Sequence, residues 1–241
     1  MQFIKRTNYV VTLISALWLS VPHAGPHAQS TTPKTMTIRA DSWEIDGQAA
    51  QRQMTGNIVA KYGPLSLKAA TLTEKTKGET KILYATGNPI IVETYDDVTK
   101  RQVVAVANKI EYRVQDKKLL LTKRARIQIK ENGDQEILIT GQLIQLIHDD
   151  RRITHLQASG EPVTFKQATP KNTIEATAER LTLDEISGLM TMKAGHMQRG
   201  VDQFSFPFLR YNTRTGDLEA SAEASHRPEL HFSGNQEKTN H

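Results

Sequence analysis

The chain of 241 residues contains no cysteine. That excludes disulfides, thiolate nucleophiles, cysteine-based metal centres and a lipid-modified cysteine anchor. Stability must then come from burial and hydrogen bonding. Aromatic residues are few, with six Phe, six Tyr and two Trp. Beyond the N-terminus, apolar residues do not recur at helical spacing, so no amphipathic helix is expected in the body of the chain. Catalytic signatures are missing too. The sequence has no HExxH, GxSxG or P-loop, and no GxGxxG after a strand. The eight histidines lie at 23, 27, 148, 155, 196, 226, 231 and 241, with no paired metal-ligand spacing. His148 precedes Asp149-Asp150, which reads as a solvated turn, with Arg151-Arg152 at its tip. The carboxylates of Asp96-Asp97 also sit at a turn signal, and nothing marks them as a glycosidase pair. No cofactor, metal or catalytic residue is expected.

What is present begins with an export signal. Lys5 and Arg6 precede an apolar stretch from Tyr9 to Val21, with small residues at Ala24, Gly25 and Ala28. The stretch is short for a membrane span, so residues 1–28 read as a secretory signal peptide cleaved after Ala28, with a retained N-terminal anchor as the alternative. Residues 29–35 read as a short linker. Losing Lys5 and Arg6 lowers the net charge from +5 to +3. That is too small to argue for nucleic acid.

From Met36 onward, apolar and polar residues alternate, as in half-buried strands. Turn signals such as Gly63-Pro64, Lys77-Gly78 and Asn132-Gly133-Asp134 separate them. Two phrases return at intervals of about 70 residues, the mark of a stacked architecture. Ala40-Asp41-Ser42-Trp43-Glu44-Ile45 returns as Ala107-Asn108-Lys109-Ile110-Glu111-Tyr112 and as Ala178-Glu179-Arg180-Leu181-Thr182-Leu183. Ala85-Thr86-Gly87-Asn88-Pro89 returns as Ala158-Ser159-Gly160-Glu161-Pro162.

Overlaying the copies assigns a buried face. Ile58, Ala60 and Tyr62 fall on Ala125, Ile127 and Ile129, which places that set inward and Val59 outward. Leu65 and Leu67 fall on Ile137 and Ile139. Trp43 and Ile45 fall on Ile110 and Tyr112, and on Leu181 and Leu183. Leu83, Ile90 and Val92 fall on Leu156, Val163 and Phe165. The third copy reads as frayed, because Pro207 demotes the strand Phe204–Tyr211 to an edge or irregular strand. Residues 219–241 read as a polar, loose tail.

Ile38-Arg39-Ala40-Asp41, Met54-Thr55-Gly56-Asn57-Ile58-Val59, Leu67-Lys68-Ala69 and Ala85-Thr86-Gly87-Asn88-Pro89, in that order after a signal peptide, resemble the OstA/LptA family. Its members are periplasmic lipopolysaccharide-transport proteins. The resemblance is best over 36–167, and 168–218 would be a divergent extra repeat of the same body. It implies an all-β fold, a twisted open jellyroll of antiparallel strands in a V-shaped stack. It also implies a non-enzymatic bridge protein of the Gram-negative periplasm. Such a protein carries lipopolysaccharide from an inner-membrane complex to an outer-membrane translocon and shelters its acyl chains in an apolar groove. The implied partners are lipopolysaccharide, an inner-membrane LptC-like protein and an outer-membrane LptD-like protein, joined by edge-strand pairing, together with head-to-tail self-association.

The inward set then becomes the candidate groove lining. Met36, Ile38, Trp43 and Ile58 come first, followed by Leu67, Leu83, Ile90 and Val92. Ile110, Tyr112, Ile127 and Ile139 belong to the second copy, and Val163 and Phe165 complete the set. The same alternation fits a closed core. The first strand, near Met36–Ala40, and the late strand, Phe204–Tyr211, are the expected edges. Rival readings are a membrane-anchored LptC-like component, a secreted β-sandwich carbohydrate-active enzyme and an adhesive β-repeat protein.

Overall fold

The computed structural model describes residues 11–13, 35–47, 51–96, 100–131, 135–149, 152–170, 172–222 and 226–231. The signal peptide and linker lie outside these, apart from Val11–Leu13 and Thr35.

Among the described residues every regular element is a strand. β1 is Val11–Leu13, β2 Met36–Arg39, β3 Ser42–Asp46, β4 Gln51–Tyr62 and β5 Leu65–Lys77. β6 is Thr80–Asp96, β7 Arg101–Arg113, β8 Lys118–Glu131, β9 Gln135–His148 and β10 Ile153–Ala168. β11 is Thr173–Asp184, β12 Leu189–Arg199, β13 Asp202–Asn212, β14 Leu218–Ser221 and β15 Glu229–His231. From β4 to β14 each strand pairs antiparallel with its neighbours in sequence, and the two ends of the path do not join. The sheet is therefore open, in agreement with the all-β jellyroll expected from the sequence.

Each long strand bends in the middle. The register shifts between Thr55 and Ile58 in β4, Thr86 and Ile90 in β6, Thr122 and Ala125 in β8, and Ser159 and Val163 in β10. Such bulges kink a strand and increase its twist. Aligned across the sheet, they form one crease that divides it into two arms, the first containing Gln51–Thr55 of β4 and the second Ile58–Tyr62. The first copy turns the crease with Gly56 and Asn57, the second with Lys123 and Arg124, all four at positive φ. Asn88-Pro89 and Glu161-Pro162, at the crease in β6 and β10, are cis.

The arms face each other with an offset of several strands. Tyr211, in the first arm, donates a 2.8 Å hydrogen bond to Gln167 Oε1 in the second and stacks edge-on against Phe165 at 6.3 Å. Gln167 Nε2 and Gln135 Nε2 both donate to the Thr213 carbonyl, at 2.8 and 3.3 Å. The apolar side chains of both arms form one continuous core from Ile38 to Tyr211. On the outer face, the hydroxyls of Thr71 and Thr86, and of Thr140 and Thr164, pair across strands at 2.5 and 2.6 Å.

The third repeat is more complete than its sequence suggests. Pro207 does not mark an edge. It stands opposite Ala194 at the crease, the one position at which the β12–β13 ladder skips a pair while keeping its register, so the strand is irregular there. The outer side of β13 is covered as well. β14 pairs with Phe208–Tyr211 and β15 with Gln203–Ser205. Leu218–Ser221 and Glu229–His231 are thus sheet strands within what reads as a loose tail, recruited by the backbone groups β13 would otherwise expose. At the other end Ile45, read as inward, is 68% exposed. β3 pairs only with β4, and the offset leaves no opposing arm over its end.

Candidate functional site

The fourteen candidate lining residues all belong to, or pack against, the single interior cluster. Ile38, Ile58, Leu83, Ile90, Val92, Ile110, Ile127, Ile139, Val163 and Phe165 are buried. Met36, Trp43, Leu67 and Tyr112 are half-buried. The interior thus divides. Most of the predicted lining fills the space between the arms, and a smaller part opens at one end.

That end is an apolar recess of about 70 Å³. Tyr62, Leu65 and Leu67 of the second arm form one wall, with Met36 beside them. Tyr112, Leu119 and Ile153 of the first arm form the other. Tyr112 is hydrogen-bonded to His148 Nε2 at 3.0 Å, and the two rings stack at 5.7 Å.

A second cavity, of about 390 Å³, adjoins the recess and shares Thr94, Arg152 and Ile153 with it. Its character is polar. Arg101, at the start of β7, reaches Glu131 on β8 at 2.6 Å and Glu185 at 2.5 Å. Glu185 lies in the Asp184–Gly188 turn between β11 and β12, so this pair ties one arm to the other. Arg214 Nη2 donates to the Glu185 carbonyl at 2.7 Å, fixing the same turn. Burial pushes the Glu185 carboxyl above its ordinary range, against the opposing pull of Arg101. Its neighbour Asp184 is held below its ordinary range by the N–H and hydroxyl of Ser187.

None of these polar residues stands out in the sequence. A charge beside a turn signal ordinarily reads as solvated. Only the offset of the arms brings Arg101 and Glu185 together, and no local pattern encodes it. Among the described residues no group of three or more His, Cys, Asp or Glu is placed to hold a metal ion.

Residues 37–146 match the model of a family described as LptA/(LptD N-terminal domain) LPS transport protein. That segment, 110 of the 241 residues, is similar to the family. The Ala-Asp and Thr-Gly-Asn phrases that carry the OstA/LptA resemblance lie within the matched segment. Among solved structures, the chain is similar to LptH, the LptA homologous periplasmic component of the conserved lipopolysaccharide transport device from Pseudomonas aeruginosa. The similarity has 22% identity and a TM-score of 0.44, and it covers 52% of this chain and 82% of that one. No curated protein matches.

The LptA/LptD segment ends within β9. It contains most of the apolar recess but only one side of the polar cavity. Arg101 and Glu131 lie inside it, and Arg152, Glu185 and Arg214 lie beyond it.

Proposed function

We propose that the chain is a periplasmic lipopolysaccharide-binding bridge, exported by its N-terminal signal, that passes lipopolysaccharide from an inner-membrane complex to an outer-membrane translocon. The observation that carries this reading is the uninterrupted apolar interior between two arms of an open sheet. The similarity of residues 37–146 to a lipopolysaccharide transport family supports the same substrate. Acyl chains need a surface that is apolar, extended and undemanding in geometry. Each sheltered methylene is worth about 0.8 kcal/mol, and no contact need be directional. A chain can then move along the interior without breaking specific bonds.

In this reading Met36, Leu67 and Tyr112 form the entry. The buried residues behind them, from Ile58 to Phe165, become lining as the arms part. An open sheet separates by flexing at its crease, which a closed barrel cannot do. Transport requires no catalytic group. β2 pairs on its outer side with Val11–Leu13, which the export signal would take with it on cleavage. The edge of β2 and β3 then faces the partner, since an unsatisfied strand edge accepts another strand through main-chain hydrogen bonds.

Photo-crosslinking residues at Met36, Leu67 and Tyr112, with Val59 on the outer face as control, test the reading. Lipopolysaccharide adducts at the first three and none at Val59 are expected. Adducts at Val59 alone, or at none of the four in folded protein, would overturn it.

A further inference from the structure

On the outer face of the sheet, cations meet carboxylates of neighbouring strands in several places. Lys166 reaches Glu175 at 2.6 Å, Arg210 reaches Glu219 at 3.8 Å and Lys68 reaches Glu93 at 3.9 Å. Four cations at the crease of β7 and β8 do not follow this pattern. Lys109 on β7 and Lys123, Arg124 and Arg126 on β8 are all exposed, and none makes an ion pair or a side-chain hydrogen bond among the described residues. The two strands are paired neighbours, with Lys109 opposite Thr122. The residues around them at the crease are neutral, with Thr86 and Asn88 on β6, Asn108 on β7, and Thr140 and Gln142 on β9. Like charges gathered on adjoining strands destabilise the sheet.

Backbone strain gathers at the same place. Lys123 and Arg124 hold φ of 61° and 62°, where the first copy has Gly56 and Asn57 at 77° and 44°. Glycine and asparagine enter this region at least cost, and lysine and arginine do not share that ease. The second copy thus combines a strained corner with an uncompensated charge cluster. Strain of this kind collects at functional sites.

The corner achieves a placement. The core lies between the arms, so the outer side of the crease is convex, and Lys123 and Arg124 stand at its apex. Leu143 on β9, opposite Thr122, is 37% exposed and adds an apolar tip beside the cations. A convex ridge offers no groove to a protein segment. β7 and β8 are paired on both sides, so they offer no free backbone to a strand. A flat anionic surface meets such a ridge along its length. The long cationic side chains reach headgroup phosphates, and an exposed leucine enters the boundary of the acyl region.

We propose that this ridge docks the protein on the surface of an anionic glycerophospholipid bilayer. The ridge lies on the opposite face of the sheet from the apolar interior, and the docking does not depend on what that interior holds.

The test floats the exported form of the chain with vesicles of phosphatidylcholine, or of equal parts phosphatidylcholine and phosphatidylglycerol. Binding to the mixed vesicles alone, lost on raising the salt, is expected. Each cation near an anionic bilayer raises the partition about fivefold. Lys123→Gly with Arg124→Asn copies the first corner, suits the positive φ and removes two cations, so binding should fall about 25-fold. Lys166→Gln with Arg210→Gln removes the same charge elsewhere and should leave binding nearly unchanged. Circular dichroism confirms that each variant is folded. Lipopolysaccharide binding should be the same in the corner variant and the natural chain. Equal losses of vesicle binding in the two double variants would overturn the ridge, because net charge alone would then account for binding. Equal binding to both kinds of vesicle, or to neither, would overturn it as well. Tighter binding of polyglutamate than of the mixed vesicles would replace the bilayer with an acidic protein surface. A parallel loss of lipopolysaccharide binding in the corner variant would assign the cations to the cargo and overturn the docking role.

Discussion

Asp41 Oδ2 accepts a 2.8 Å hydrogen bond from Asn57 Nδ2, and the same oxygen lies 2.5 Å from where a Cβ on Gly56 would be. The edge strand, as it bends from β2 into β3, thus packs a carboxylate into the corner of β4. Gly56 also has φ +77°, and its carbonyl accepts from the Asp41 N–H at 3.1 Å. The Ala-Asp and Thr-Gly-Asn phrases are therefore two halves of one corner. Gly56→Ala should lower the unfolding free energy by about 1–3 kcal/mol. A urea titration reads this directly, and an unchanged midpoint would show that the corner relaxes freely.

The second copy of that corner is less well made. Lys123 and Arg124 hold φ of 61° and 62° without the freedom of glycine. A left-handed non-glycine residue costs roughly 1–2 kcal/mol. Glycine also gains entropy in the unfolded chain, which cancels part of the relief. Lys123→Gly should then stabilise the protein by about 0.5–1 kcal/mol. Loss of stability instead would mean that the lysine side chain is held by contacts that offset its backbone.

The faces of the long strands were legible because the repeats constrain each other. Ile58 and Ala60 are buried and Val59 is not, as the overlay on Ala125 and Ile127 requires. Where the overlay misled, the cause lies in position within the coil rather than in local pattern. Ile45 occupies the place of Tyr112 and Leu183, but at the end of the sheet no arm covers it. Pro207 reads as an edge signal because a strand is assumed to be straight. At a crease the missing N–H is harmless. The Arg101–Glu185 tie joins β7 to the β11–β12 turn across 84 residues of sequence and follows only from the offset of the arms.

Stability and lipid binding should separate along the interior. Ile127 is fully buried beneath both arms, and Ile127→Ala should cost about 2–5 kcal/mol. Leu67 is half-buried at the recess, so Leu67→Ala should cost less and weaken lipopolysaccharide binding more. Melting and binding measured on both variants check the split. If the two losses run in parallel, the recess is only a margin of the core.

The C-terminal edge yields a prediction about assembly. β14 and β15 cover the backbone of β13 on both sides of its bend. Removing residues 218–241 would expose that backbone along Gln203–Tyr211, together with half-buried Phe204. Uncovered strands seek partners. The truncated chain should associate as its concentration rises, seen by light scattering. A monomer at all concentrations would mean that Pro207 and the bend alone protect the edge.

Glu185 should make the tie between the arms respond to pH. Burial holds its carboxyl above the ordinary value of 4.5, with Arg101 opposing. The folded protein therefore keeps a proton at a pH where the unfolded chain has released it. The stability this contributes is complete below 4.5 and is lost as pH rises through the raised value. Asp184 acts in the opposite sense. Ser187 lowers its carboxyl below 3.8, so its contribution is present above that value and is lost as pH falls. The two windows do not overlap. Between pH 7 and 5 the urea midpoint of the natural chain should rise relative to that of Glu185→Gln, in which this proton is fixed. Below pH 3.8 it should fall relative to Asp184→Asn. The comparison with each variant cancels the titration of all other groups. Parallel profiles for Glu185→Gln and the natural chain between pH 7 and 5 would show that Arg101 outweighs burial and that the tie is insensitive to pH.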